Sequence, residues 1–137
     1  AGSEAVLALH GELERNRWLD PCPRANQAAC ATETAVPGRP PHCTECGNLV
    51  RPGVVWFGEM LPPAVLQAAE EAVSHCDCML VVGTSGAVYP AAGLVHAAHA
   101  AGAFVVIVNP GDSALDALAH MRLRCPSAQV LPEMLDF

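Results

Sequence analysis

The sequence predicts an α/β fold: part of a parallel sheet, with a small, loop-rich, cysteine-bearing insertion. Three observations carry this. Two uncharged apolar runs, Cys78–Val82 and Phe104–Val108, bracket a helical stretch, the pattern of a β-α-β unit. Residues 20–42 hold Pro21, Pro23, Pro37, Gly38, Pro40 and Pro41, which exclude long helices and central strands. Cys43-Thr44-Glu45-Cys46, followed by Gly47, closes that segment with a pair of thiols.

Bulk properties narrow the function classes. A length of 137 residues with 52% hydrophobic content suits one packed domain of ordinary size. The net charge is −7, and all seven basic residues are arginine, which argues against a nucleic-acid backbone as partner. An acidic protein can still hold a nucleotide through backbone N–H groups. Neither a membrane-spanning run nor a targeting pattern stands out, so the expectation is a soluble, cytoplasmic protein with no membrane partner. Seven cysteines, an odd count, speak against a fully paired disulfide framework. In a reducing compartment a close pair of thiols is more naturally a metal clip.

Taken in order, the chain opens with an apolar segment, Val6, Leu7 and Leu9, that ends at His10-Gly11. A histidine beside a glycine at a strand end can face a cleft, or it can be a surface turn residue. Residues 12–17 are charged and fit no single element. The insertion lacks a core of its own and needs a staple, which four thiolates around zinc would supply. Cys43 and Cys46 have the spacing that lets two sulfurs reach one tetrahedral ion. Cys22 and Cys30, eight apart, are the candidates for the other two positions, with His42 as a substitute.

Next comes Arg51-Pro52-Gly53-Val54-Val55-Trp56-Phe57-Gly58-Glu59. Pro52 and Gly53 break what precedes, and Val54 to Phe57 read as a buried strand. Gly58 permits close approach to the backbone, and Glu59 places a charge at the strand's exit. After Pro62-Pro63, the residues Val65, Leu66, Ala69 and Val73 recur at helical spacing. Cys76 and Cys78 flank the next strand and are expected to be buried as small hydrophobes.

Within the β-α-β unit the strands should be buried on both faces, with the helix running from about Pro90 to Ala101 and Gly102 closing it. His96 and His99 are expected on its solvated face. The loops after both strands lie at the same edge of a parallel sheet, where ligands bind. The first is Gly83-Thr84-Ser85-Gly86; the second begins Asn109-Pro110-Gly111. Neither carries the G-x-G-x-x-G fingerprint of a Rossmann dinucleotide site. A short helical segment is expected over Leu115–Ala119.

Together these blocks resemble the sirtuins, NAD-dependent protein-lysine deacylases. The matching series is Leu9-His10-Gly11, Cys43-x-x-Cys46-Gly47, Arg51-Pro52, Val54 through Glu59, Gly83-Thr84-Ser85, Tyr89-Pro90-Ala91, Asn109-Pro110 and Val130-Leu131-Pro132. Trp56 is similar to the bacterial, desuccinylase-type (class III) branch. The resemblance implies a partial Rossmann-like parallel sheet with a zinc-ribbon-type small domain, the sirtuin or DHS-like NAD-binding fold. Residues 1–19 would be a Rossmann-like segment bearing the catalytic histidine, 20–50 the zinc-binding insertion, and 51–137 the C-terminal part of the NAD-binding domain.

The resemblance also implies roles. His10 matches the catalytic histidine, whose neutral imidazole assists deprotonation of a ribose hydroxyl of NAD. The family's products are free lysine, nicotinamide and 2′-O-acyl-ADP-ribose. Phe57, Gly58 and Glu59 match the segment that takes the substrate peptide as an added strand. Val55 would offer its carbonyl to the acyl-lysine amide. Phe57 and Leu61 would line the lysine tunnel, with Val88 and Tyr89 on the opposite wall. Gly83, Thr84, Ser85, Asn109 and Ser127 match contacts to NAD, and Cys22, Cys30, Cys43 and Cys46 match the Zn2+ ligands.

The family's Gly-rich cofactor loop, Arg- and Tyr-bearing acyl pocket and Gln-Asn-x-Asp nicotinamide segment have no counterpart in these residues. The resemblance therefore implies an N-terminally truncated chain, the C-terminal half of the domain, inactive as a deacylase by itself. Two classes stay open: an acyl-transferring enzyme represented by this half, and a non-catalytic module that binds zinc and ADP-ribose or NAD.

Overall fold

The computed structural model describes residues 3–22, 24, 30 and 40–135. Part of the proline-rich stretch, including Pro23, Pro37 and Gly38, lies outside the described residues. The chain divides into two compact units, Ala1–Pro62 and Pro63–Phe137.

The first unit is built on an antiparallel ribbon of β1 (Gly11–Trp18) and β2 (Val50–Val54). Its register runs Gly11↔Val54 and Glu12↔Gly53, then jumps to Asn16↔Pro52, Arg17↔Arg51 and Trp18↔Val50. Leu13, Glu14 and Arg15 thus bulge out opposite the Pro-Gly pair. The bulge is what lets a strand contain those two residues. Pro52 has no N–H to give a ladder, and a Cβ on Gly53 would stand 2.7 Å from the Arg15 carbonyl oxygen.

Three expectations are corrected here. Val6 to Leu9 is not a strand ending at His10; the strand begins after the histidine, and Val6 and Leu7 are exposed. Residues 12–17, which fit no element by pattern, lie within β1. The buried strand expected at Val54–Phe57 lies earlier, at Val50–Val54, and Pro52-Gly53 sits inside it rather than breaking it. Beyond Val54 the chain leaves the ribbon: Trp56 is 48% and Phe57 98% exposed. The cause is local, because Gly58 takes φ +87° and the Glu59 N–H donates back to the Trp56 carbonyl at 3.0 Å, closing a turn.

The second unit opens with α1 (Pro63–Ser74), where the helical spacing placed it. β3 (Cys78–Val82), α2 (Ala91–Ala100) and β4 (Phe104–Val108) then form the β-α-β unit, with β3 and β4 parallel and in register from Cys78↔Phe104 to Val82↔Val108. A 3-10 turn at Asp116–Leu118 follows, inside the helical segment expected over Leu115–Ala119. β5 (Met121–Leu123) adds to the other side of β4, giving the order β3-β4-β5, all parallel. α3 (Ser127–Leu135) ends the described chain, with Pro132 inside it. Neither β5 nor α3 is legible from the pattern: one is three residues long, the other interrupted by proline.

The core of this unit is Val81, Ala92, Val95, Val105, Ile107 and Leu115. β4 lies centrally, with Val105 to Val108 all buried, and each such side chain contributes about 1.5–3 kcal/mol by leaving water. β3 departs from expectation. Only Val81 is buried; Val82 is 37% exposed and Cys78 is exposed, and among the described residues β3 pairs with β4 alone. Cys76 is half-buried, its thiol donating to the Val73 carbonyl at 3.4 Å. His96 and His99 face outward on α2. Among the described residues no helix is long and apolar enough to cross a membrane.

Candidate functional site

His10 sits in a two-residue turn that feeds β1, with an exposed side chain. Its carbonyl accepts the Val55 N–H at 2.9 Å, and Gly11 pairs with Val54. Gly11 has φ +77°, and a Cβ there would meet the Gly53 carbonyl oxygen at 1.9 Å. Only glycine allows this approach, so the turn's geometry fixes His10 beside Val55. Two sequence-predicted residues are thereby brought together.

Past Val55 the loop carries Phe57, Gly58 and Glu59, while Leu61 turns inward and is buried. Arg51, 5% exposed, stands behind this loop. Its Nη1 donates to the Val54 carbonyl at 2.7 Å, its guanidinium carbon lies 3.9 Å from the Trp56 ring centroid, and its Nη2 pairs with Glu59 Oε1. Glu59 Oε2 accepts the Trp56 N–H at 3.0 Å and stands 3.6 Å from Arg17. The Trp56 N–H, then the Arg51 guanidinium, hold the Glu59 carboxyl below its ordinary range.

The cysteines converge. Sγ–Sγ distances are 3.5 Å for Cys22–Cys30, 3.7 Å for Cys22–Cys46, 3.5 Å for Cys30–Cys43 and 3.3 Å for Cys30–Cys46. All seven cysteines are free thiols. Four sulfurs about 2.3 Å from one tetrahedral ion stand about 3.8 Å apart, close to this spacing. Cys22, Cys30 and Cys46 form the set whose sulfurs are all mutually within 4.8 Å, and Cys43 joins through Cys30. The wider Cys22/Cys30 spacing therefore does not prevent convergence.

The cluster fits zinc on chemistry too. Burial raises the Cys22 thiol pKa, but hydrogen bonds from the Arg24 backbone, Cys30, Cys46 and Asn48 outweigh it, so the net shift is downward. Cys30 is pushed far up, first by its hydrogen bond to Cys46, then by burial. Packed thiolates repel one another, and a divalent cation at their centre removes that conflict. Trp18 packs against the cluster. His42 is exposed, with Nδ1 3.4 Å from the Pro40 carbonyl oxygen.

In the second unit the two expected nucleotide loops are tied together. The Ser85 carbonyl accepts from the Ala114 N–H at 2.8 Å and the Ser113 hydroxyl at 3.2 Å. Gly86, at φ +68°, leaves room for Leu115, whose Cγ a Cβ would meet at 2.5 Å. Gly83 N–H donates to the Val108 carbonyl at 3.0 Å, and Thr84 Oγ1 accepts from Gly86 N–H at 3.1 Å. Gly83, Thr84 and Ser85 remain exposed. Asn109 donates to the Gly111 carbonyl at 3.0 Å, and Arg124 braces the loop by pairing with Asp116, Asp112 and the Gly111 carbonyl. Ser127 begins α3. Val88 and Tyr89 are exposed, and the Tyr89 hydroxyl meets His96 Nε2 at 3.2 Å.

Sequence reasoning passed over Arg51 as a working residue, and also Arg124, Ser113 and His120. His120 Nδ1 accepts the buried Val105 N–H at 3.0 Å. No spacing rule separates a buried arginine from a surface one.

Comparison with known proteins agrees with the resemblance. A model of the Sir2 family matches residues 1–90. An NAD-dependent protein deacylase of Ralstonia nicotianae is 53% identical over 135 residues, covering 98% of this chain and 53% of that protein. One from Aquifex aeolicus is 40% identical, covering 100% of this chain and 56% of its own. The chain thus spans about half the length of the curated relatives it matches. A crystal structure of a Sir2 homologue in complex with NAD superposes with a TM-score of 0.81 at 36% identity, over 98% of this chain and 51% of that one. A Sir2 protein bound to a propionylated peptide gives 0.81 at 28% identity, over 98% and 56%. The chain belongs to the Sir2 family.

Proposed function

We propose that this chain is the histidine-, zinc- and peptide-bearing half of an NAD-dependent protein-lysine deacylase, which moves an acyl group from lysine to ADP-ribose and releases nicotinamide. The observation that carries the reading is the bond joining His10 to Val55. It sets an exposed imidazole next to the strand end whose backbone would receive an acyl-lysine.

In this proposal His10 is the acid–base group for a ribose hydroxyl. The Val55 carbonyl takes the acyl-lysine amide N–H. Phe57, Gly58 and Glu59 pair with the peptide through their backbone, Phe57 and Leu61 line the lysine stem, and Val88 and Tyr89 are further candidates for contact with the substrate. Gly83, Thr84, Ser85, Asn109 and Ser127 bind NAD, where exposed small residues and a braced asparagine suit a dinucleotide. Cys22, Cys30, Cys43 and Cys46 hold Zn2+ within a small domain over residues 20–50; residues 1–19 and 51–137 belong to the NAD-binding domain. The partners are acyl-lysine proteins or peptides. Seven free thiols fit a reducing, cytoplasmic setting.

The test replaces the matched 135 residues of the Ralstonia nicotianae protein with those of this chain and follows nicotinamide release from NAD with an acyl-lysine peptide. Activity in the chimera, falling about 10²–10⁴-fold in His10→Ala with little change in NAD affinity, is the expected result. Unchanged activity in His10→Ala would refute the base assignment. An inactive, folded chimera that still binds ADP-ribose favours the non-catalytic module.

A further inference from the structure

The loop over residues 55–60 exposes Phe57 almost entirely, yet it belongs to no strand or helix and has little apolar anchorage. Something else must hold its shape. The structure shows one buried guanidinium serving three parts of it: the Val54 carbonyl where the loop begins, the Trp56 ring and the Glu59 carboxylate. Glu59 closes the circuit through its second oxygen on the Trp56 N–H. Both carboxylate oxygens are therefore engaged within the first unit, and the Glu59 N–H is bonded to the Trp56 carbonyl, leaving the Glu59 backbone carbonyl as the part that can face a peptide.

We propose that Arg51 and Glu59 are positioning residues that hold the 55–60 loop in the shape that receives the acyl-lysine peptide. This rests on the deacylase reading above for the identity of the ligand, though not for the loop's mechanics. A planar, always-charged guanidinium suits this role because it can donate in two directions while its face lies on an indole. Lysine, a point charge, could satisfy Glu59 but not the ring and the Val54 carbonyl together. Arg51 Nε is buried without a partner among the described residues, as expected if stacking rather than full hydrogen bonding sets its orientation.

Two measurements test this. In the 137-residue chain, limited chymotrypsin digestion followed by mass spectrometry reads cleavage after Phe57, with Phe104 in the second unit as internal control. Losing a charged hydrogen bond should speed Phe57 cleavage about tenfold in Glu59→Gln and in Arg51→Met, with Arg51→Lys between them and the parent. Phe104 cleavage should not move. Glu59→Gln keeps size and a carbonyl acceptor, so it decides the matter if Arg51→Met fails to fold. In the chimera, the same changes should raise KM for the acyl-peptide about tenfold while kcat and NAD affinity stay within about twofold.

Parent-like Phe57 cleavage in both Glu59→Gln and Arg51→Lys would overturn the proposal. So would a loosened loop with an unchanged peptide KM. A chimera that binds no acyl-peptide before any mutation refutes the deacylase reading and the peptide part with it, while the cleavage experiment still decides what holds the loop.

Discussion

The two units of this chain solve the same problem with different chemistry. The second builds a conventional apolar core: a central strand with four consecutive buried residues, a helix packed over it and Leu115 closing one end. The first has a two-stranded ribbon whose β1 is exposed along most of its length, and its compact centre is a knot of cysteines beside Trp18. A two-stranded ribbon is marginal in water by itself. What remains is polar: thiols that suit a metal, and the buried Arg51 paired with Glu59. A unit held this way should respond to reagents that leave an apolar core untouched, and the reverse should hold for cavities.

The largest effect follows from removing metal. Structural zinc supplies about 10–16 kcal/mol of apparent binding free energy in small domains, all of it available to folding. Chelation, or Cys43→Ser or Cys30→Ser, should therefore abolish amide-exchange protection across 40–54 while leaving 104–108 protected. Elemental analysis of freshly reduced protein should give one zinc per chain. Protection in 40–54 that survives complete chelation would break the comparison.

The converse cut is Ile107→Ala, which should cost the second unit about 2–5 kcal/mol. Ile107 is 1% exposed inside the central strand of its sheet. Thermal unfolding should show that loss, with zinc content unchanged. A smaller effect is expected from Gly11→Ala, where the left-handed backbone alone costs about 1–2 kcal/mol before the Cβ meets the Gly53 carbonyl. Loss of protection at Val55 N–H, the donor to His10, would report it directly.

The same contrast explains what could be read from the sequence. β4, α1 and α2 were legible because burial writes a periodic apolar pattern. The first unit writes none. β1 is charged at four of its eight positions, and the β-branched run at Val54–Phe57 suggests a strand where the chain is already leaving one. The convergence of the cysteines was legible by residue type and, for Cys43 and Cys46, by spacing, while His10, Gly58 and Asn109 were singled out only by their place in motifs. Arg51 and Arg124 were not, because whether an arginine is fixed in place depends on which carboxylate and carbonyl the fold delivers to it.

The smallest effect is also the finest test, since each unit contains an arginine-locked carboxylate. In the second, hydrogen bonding from Arg124 holds the Asp116 carboxyl below its ordinary range; in the first, Glu59 is lowered by the Trp56 N–H and Arg51. A carboxylate with a depressed folded pKa contributes stability that is fully present above its unfolded value and lost as pH falls through the folded one. Below about pH 4 both locks should therefore weaken. In the second unit the loop stays on a packed sheet, so exchange at Ser113 N–H, which donates to Asp116, should rise only locally. In the first, Trp56 N–H should lose protection together with the whole 55–60 turn. Acid also protonates thiolates and expels zinc, and that would loosen the same unit by another route. Glu59→Gln separates the two. Its Trp56 amide should exchange fast already at neutral pH, without the carboxylate's acid transition, while zinc release keeps its own pH dependence. A Trp56 transition that persists unchanged in Glu59→Gln would assign the acid sensitivity of this loop to the metal cluster instead.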